Sequence, residues 1–218
     1  SLPCPTVALI EGFCMGGGTE LILCFDYRVA LDDASTKIGL PEIKLGIHPA
    51  CGGVVRSTAI INPLKSLEMM LSGRALASKQ ARSIGLVDVV QPRRQIKRAA
   101  LELALRPPPK REMPLAGKLL CLPGIRHLLS RYMKKQVSKK APKQHYPAPY
   151  ALLDVWCNYY GDKKRMMDEE ANSVARLIQG NTVRNLIRVF FLQTDLKSLG
   201  DKKTFTPKHV HVIGAGIM

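Results

Sequence analysis

Short apolar runs alternate with helix-spaced patterns over the first hundred residues of this 218-residue chain. Val7–Ile10 reads as a buried-type strand. A glycine-rich turn comes next, and a helical pattern covers 21–25. A second strand is expected at Tyr27–Leu31, then a polar loop over 32–37. Apolar spacing predicts helices at 54–60 and 64–71. Ser78 reads as the N-cap of a helix over 79–84, and Gly85 as its C-cap, before a strand at 86–90. Strands alternating with helices argue an α/β fold.

The pattern then changes. Pro107-Pro108-Pro109 breaks the chain, and Pro114, Pro123, Pro142, Pro147 and Pro149 punctuate the next forty residues or so. Residues 106–149 read as a basic, irregular insert with at most one helix, around 124–137. Residues 150–199 read as all-helical. Gly180 is placed to end one helix. Asn181 is placed to cap the next, which carries Leu186, Ile187, Phe190 and Phe191 on one face. The chain closes on His209-Val210-His211-Val212-Ile213-Gly214-Ala215-Gly216, a strand running into G-x-G. That is the opening of a dinucleotide fingerprint without its third glycine, its helix or its acidic residue. Both ends of the chain read as cut. No internal repeat is evident.

Composition narrows the class. Hydrophobic residues make up 46% of the chain, enough for a substantial core. No apolar run approaches the roughly 18 residues that span a bilayer. The six cysteines form no C-x-x-C and have no histidines at zinc-ligand spacing, which reads as buried, reduced thiols in a cytosolic-type protein. Net charge is +16, and residues 101–150 hold eleven Lys and Arg against two Asp and Glu. That charge leaves nucleic acid, an anionic membrane surface or a polyphosphate ligand open, beside a plain solvated face. Only Tyr132, Tyr146 and Tyr150 lie in the basic segment, too few aromatics for a base-stacking platform.

The candidate chemistry lies at Gly12-Phe13-Cys14-Met15-Gly16-Gly17-Gly18-Thr19-Glu20. Three glycines at a strand-to-helix junction leave backbone N–H groups approachable, with a carboxylate within a turn of them. A second segment, Gly39-Leu40-Pro41-Glu42-Ile43-Lys44-Leu45-Gly46, pins a glutamate behind a proline between two glycines. Taken singly, Glu20 reads as a first-turn acid complementing a helix dipole, and Glu42 as a solvated loop acid. Taken together, two glutamates beside a donor corner make a kit for proton transfer next to a carbonyl. The alternatives fail on pattern: no G-x-x-x-x-G-K-[ST], no G-x-S-x-G and no H-E-x-x-H occurs. His48 reads as a packed or hydrogen-bonded loop histidine.

Ile10 to Glu20 with Gly39 to Gly46 resembles the crotonase (enoyl-CoA hydratase/isomerase) superfamily. Lys65 to Arg74 and Ala81 to Asp88 are similar to that family too. His145-Tyr146-Pro147-Ala148-Pro149, the closing helices and Val212 to Met218 resemble its form in the multifunctional α-subunit of the fatty-acid β-oxidation complex.

The resemblance implies a crotonase-like repeated ββα superhelix, here its C-terminal half, closed by helices and ending at the first strand of a Rossmann domain. It implies a hydratase core over 1–105, the basic insert over 106–149, a helical region over 150–205, and the start of a 3-hydroxyacyl-CoA dehydrogenase domain over 206–218. Gly17 matches the glycine whose N–H supplies one oxyanion-hole donor. Glu20 matches the acid that activates water, and Glu42 the acid that exchanges a proton with the substrate α-carbon. The other donor would stand on a loop before Ser1, so this chain would hold half the hole. The substrate would be an acyl-CoA thioester and the hydratase would need no cofactor. NAD would serve only the dehydrogenase, at Gly214 and Gly216. A thiolase subunit is the expected partner, with weak membrane-surface association and no nucleic acid, in a bacterial cytoplasm ahead of a mitochondrion. Ala50 and Cys51 depart from the family pattern, which leaves acyl preference open. The competing readings are a non-catalytic crotonase-like module and a basic nucleic-acid-binding protein.

Overall fold

The computed structural model describes residues 2–110 and 112–199. The strand-and-glycine segment with Gly214 and Gly216, and the whole of 206–218, lie outside the described residues. The order is β1 (Val7–Ile10), β2 (Phe13–Met15), α1 (Gly17–Ile22), β3 (Tyr27–Leu31), β4 (Lys37–Gly39) and a 3-10 turn (Glu42–Leu45). Next come α2 (Gly53–Ile60), α3 (Pro63–Ser72), β5 (Leu76–Ala77), α4 (Ser78–Ile84), β6 (Val89–Gln91) and α5 (Arg93–Leu105). Five further helices are α6 (Leu115–Leu120), α7 (Pro123–Ser138), α8 (Ala148–Tyr159), α9 (Lys163–Ile178) and α10 (Asn181–Ser198).

The strands form two small sheets. One is parallel, in the order β1-β3-β6; the other runs β2-β4-β5, with only the last pair antiparallel. The central strand β3 is buried at all five positions, as a middle strand covered on both faces must be. Helix α5 covers this sheet, packing Ile96 and Ala100 on Val29 and Leu31. The larger core joins Ile38, Leu40, Val54, Leu67 and Met70 to Leu152, Leu153 and Trp156 of α8. Burying each of those three α8 side chains contributes roughly 1.5–3 kcal/mol, so the closing helices are part of the same packed body.

The expected strands Val7–Ile10 and Tyr27–Leu31 are present as read. Gly85 ends α4 in the left-handed conformation, as read; the cap of α3, which the sequence reading did not single out, is Asn62, accepting from the Leu64 N–H at 3.0 Å. Other expectations shift. The first helix begins inside the glycine run, at Gly17 rather than 21, because glycine at the N-terminal turn lets the chain swing directly off β2. Ser78 is the first residue of α4, not its cap, and the strand expected at 86–90 is β6, at Val89–Gln91. The helix expected around 124–137 is α7, at Pro123–Ser138, but 106–149 is less irregular than read, because a second helix, α6, lies there too. Their prolines stand just before or at the first helical position, where a missing N–H costs nothing. Gly180, not Asn181, is the residue before α10. Ile187, Phe190 and Phe191 on that helix are exposed.

All six cysteines are free thiols, but only Cys121 and Cys157 are buried; Cys4, Cys24 and Cys51 are exposed. Among the described residues no helix is long and apolar enough to cross a membrane. A cavity of about 1020 Å3 opens between residues 2–6, 24–27 and 107–110 and includes neither candidate acid.

Gly39 shows how tightly the two halves of the smaller sheet meet. A Cβ there would stand 2.7 Å from the Arg74 carbonyl oxygen and 3.3 Å from the Ala75 Cα, both backbone atoms. Gly39→Ala is expected to cost about 1–3 kcal/mol, read as a lower urea midpoint; an unchanged midpoint would show the backbone there yields freely.

Candidate functional site

The site is built where β2 ends. Gly16 adopts φ 56° and ψ −124°, a conformation reserved for glycine. A Cβ on it would also stand 3.3 Å from Glu42 Oε1. The Gly16 N–H is not bare, as the glycine run alone suggests; it donates to the Gly39 carbonyl at 2.9 Å. Thr19 reinforces that tie, its hydroxyl lying 2.8 Å from the Gly39 oxygen and 2.7 Å from the Cys14 oxygen. The junction is therefore pinned to β4, the strand that leads into the Glu42 turn. Gly17 opens α1, where the helix supplies no acceptor for its N–H. Apart from its chain neighbours and its own helix backbone, no atom lies within 4 Å of where its Cβ would be.

Glu20 rides on α1 and is only 5% exposed. Its Oε1 accepts two backbone hydrogen bonds, from Cys51 N–H at 2.8 Å and Gly53 N–H at 2.9 Å. Those bonds consume one oxygen and leave Oε2 for other contacts. Glu42 is the first residue of the 3-10 turn, held by Pro41 before it and by left-handed Gly46 after it. It is not the solvated loop acid that the residue alone suggests. Both carboxyl oxygens are sealed from solvent, and neither has a hydrogen-bond partner in the protein. Burial pushes its pKa up to about 7, opposed by its own nearby backbone N–H, which does not reach hydrogen-bond geometry, and aided by the negative charge of Glu20. An acid poised near neutrality, unpartnered and facing a glycine corner, is chemically available.

The structure thus brings Gly17, Glu20 and Glu42 to one corner. It also shows what the residue pattern missed. Glu170 of α9 is wholly buried, with Oε2 accepting from Gly52 N–H at 2.8 Å and Oε1 from Val55 N–H at 2.7 Å. Burial pushes its pKa up to about 7, against those two N–H donors, and Glu20 adds to the rise. His48 is buried between the Pro49 carbonyl and the Ser173 hydroxyl, each 2.8 Å from a ring nitrogen. Burial lowers its pKa to about 4, so it is neutral at physiological pH. It is the packed loop histidine expected of it. The signal for Glu170 was present in phase only. Met166, Glu170, Ser173 and Val174 form one buried stripe on α9. No group of three His, Cys, Asp or Glu is placed to hold a metal among the described residues.

Fold and corner together define an α/β protein with a buried acid pair beside backbone donors. A model of the enoyl-CoA hydratase/isomerase family matches residues 1–110, half of the chain, and the chain belongs to that family. It is 38% identical over 228 residues to the fatty acid oxidation complex subunit alpha of Shewanella loihica. It is 39% identical over 223 residues to the subunit of the same name from Aliivibrio fischeri. Each comparison covers all of this chain and 32% of the relative, so the chain spans about a third of their length. Among solved structures it is similar to carnitinyl-CoA hydratase from Mycobacterium avium, with TM-score 0.55, 21% identity, and coverage of 87% of this chain and 60% of that one. It is also similar to enoyl-CoA hydratase/isomerase from Pseudoalteromonas atlantica T6c, with TM-score 0.56, 18% identity, and coverage of 87% and 62%. Those likenesses speak to the fold alone.

Proposed function

We propose that this chain carries the acid–base half of a site that hydrates 2-enoyl-CoA thioesters and shifts 3-enoyl double bonds to the 2-position. The observation that carries the reading is Glu42: a sealed carboxyl with no partner, beside the glycine corner that also starts the Glu20 helix. In hydration, Glu20 Oε2 takes a proton from water as the water oxygen bonds to C3. Glu42 delivers its proton to C2. The negative charge passes through the thioester oxygen, which Gly17 N–H faces; one such donor is worth about 3–4 kcal/mol. In isomerisation Glu42 takes a proton from C2 and returns it at C4, so Glu20 need not act. Neither step calls for a cofactor. Relatives named as fatty acid oxidation complex subunits support a longer parent, in which an NAD-dependent dehydrogenase segment begins around Gly214 and Gly216 and a thiolase subunit is the partner.

The test is the pH dependence of 2-enoyl-CoA hydration by the full natural polypeptide. Glu42 must hold its proton for the forward step, and its pKa stands at about 7. So kcat/KM is expected to fall as pH rises through about 7. Hydration exchanges no net proton with solvent, so the reverse dehydration must show the same profile. A flat forward profile from pH 6 to 9 contradicts the assignment.

A further inference from the structure

Four N–H groups at the start of α2 are divided between two carboxylates. Cys51 and Gly53 donate to Glu20; Gly52 and Val55 donate to Glu170. The two acids therefore interleave on a single turn. Gly52, the residue before α2, has no side chain to cap the helix. The capping carboxylate arrives instead from α9, 118 positions away in the chain. A local serine or aspartate would serve a helix end without burying a charge. Two residues of the same α9 face hold this loop: Glu170 binds the turn, and Ser173 binds the His48 ring.

The turn has no slack toward Glu20. A Cβ on Gly53 would stand 2.6 Å from the Pro49 Cβ and 2.8 Å from Glu20 Oε1. Any movement of residues 51–53 therefore moves the donors that hold Glu20. Both Glu170 oxygens are taken up by the Gly52 and Val55 N–H groups, so it acts on the turn. We propose that Glu170, backed by the Ser173–His48 contact, is a positioning residue that fixes the water-activating carboxylate of Glu20 through the 51–55 turn. This rests on the reading of Glu20 given above, and a displacement near 1 Å at a reacting group can cost about a hundredfold in rate.

The experiment compares Glu170→Gln with Val174→Ala, a change on the same buried α9 face that removes no hydrogen bond to either carboxylate. Glutamine keeps the shape but turns an amino group toward one of the two N–H donors. Amide hydrogen exchange is monitored on residues 51–55, and kcat and KM are measured for 2-enoyl-CoA in the full natural polypeptide. In Glu170→Gln the Cys51 and Gly53 amides, not only Gly52 and Val55, are expected to exchange at least tenfold faster. kcat is expected to fall about ten- to a hundredfold, with KM within about twofold. Val174→Ala is expected to lower the thermal midpoint without either change. The proposal is overturned if Gly52 and Val55 are freed while Cys51 and Gly53 keep their protection and kcat stays within threefold. If Glu170→Gln does not fold, Ser173→Ala loosens the same loop from its His48 end and is judged by the same two amides. The exchange result does not depend on chemistry. Should Glu20→Gln prove fully active, the functional reading fails on its own, and the Cys51 and Gly53 amides still decide whether Glu170 sets that carboxylate.

Discussion

Glu42→Gln is expected to lower both hydration and double-bond isomerisation by about 10²–10⁴-fold while leaving the fold intact. The carboxyl makes no hydrogen bond to the protein, so its replacement by an amide of the same shape breaks no structural contact. The variant should also change how stability depends on pH. In the folded protein the Glu42 pKa is raised from 4.5 to about 7, mainly by burial. The protonated form is thus the one the fold prefers. The stability linked to that preference is fully present below about pH 4.5 and is lost as pH rises through about 7. Its size is on the order of 3 kcal/mol at most. Glu42→Gln should remove that part of the decline, so wild type and variant diverge most between pH 5 and pH 7. Urea midpoints across that range, taken beside turnover, measure both effects. Near-wild-type turnover in the variant would sink the acid–base assignment. Parallel pH curves would show that Glu42 is not held neutral by the fold.

The parts of this protein that sequence makes legible are those governed by neighbouring residues. Gly85 needs a left-handed backbone to end α4, and Asn62-Pro63 starts α3 by local capping; such features are written in a few adjacent letters. The same holds for Glu42, set between Pro41 and Gly46, and for Glu20 after three glycines. The parts that stay hidden depend on distant partners. Strands β2, β4 and β5 are two or three residues long and exist only because they pair with one another. Helix α6 sits in a proline-rich stretch and packs against α3, so closely that a Cβ on Gly117 would stand 3.3 Å from the Pro63 Cδ. Composition reads the stretch as loop; the contact makes it helix.

Glu170 is the sharper case. It lies in Asp168-Glu169-Glu170, and an acidic run on a helix ordinarily faces water. Only the phase set by buried Met166 and Val174 separates Glu170 from its two acidic neighbours. Its partners, Gly52 and Val55, are backbone groups, which leave no mark in a sequence. Pattern reading found the acids presented at the glycine corner; the acid on the supporting face emerged only from the packed structure.

Glu20→Gln separates the roles of the two candidate acids. An amide oxygen can accept from both Cys51 and Gly53 as Oε1 does now, so the 51–55 turn should hold and the protein should fold. What is lost is the base proposed to take the water proton, and hydration is expected to fall by about 10²–10⁴-fold. Isomerisation takes another route. On the proposed mechanism it needs only Glu42 to carry a proton from C2 to C4, with Gly17 N–H as the donor to the thioester oxygen. Glu20→Gln should therefore retain isomerisation, and exchange of the C2 proton with deuterated water, to within about tenfold, whereas Glu42→Gln loses both. The Glu20 charge is also one cause of the raised Glu42 pKa. Its removal should move the remaining pH inflection below about 7. If Glu20→Gln abolishes C2 exchange as thoroughly as hydration, the two acids are not divided in this way, and Glu20 belongs to enolate formation itself.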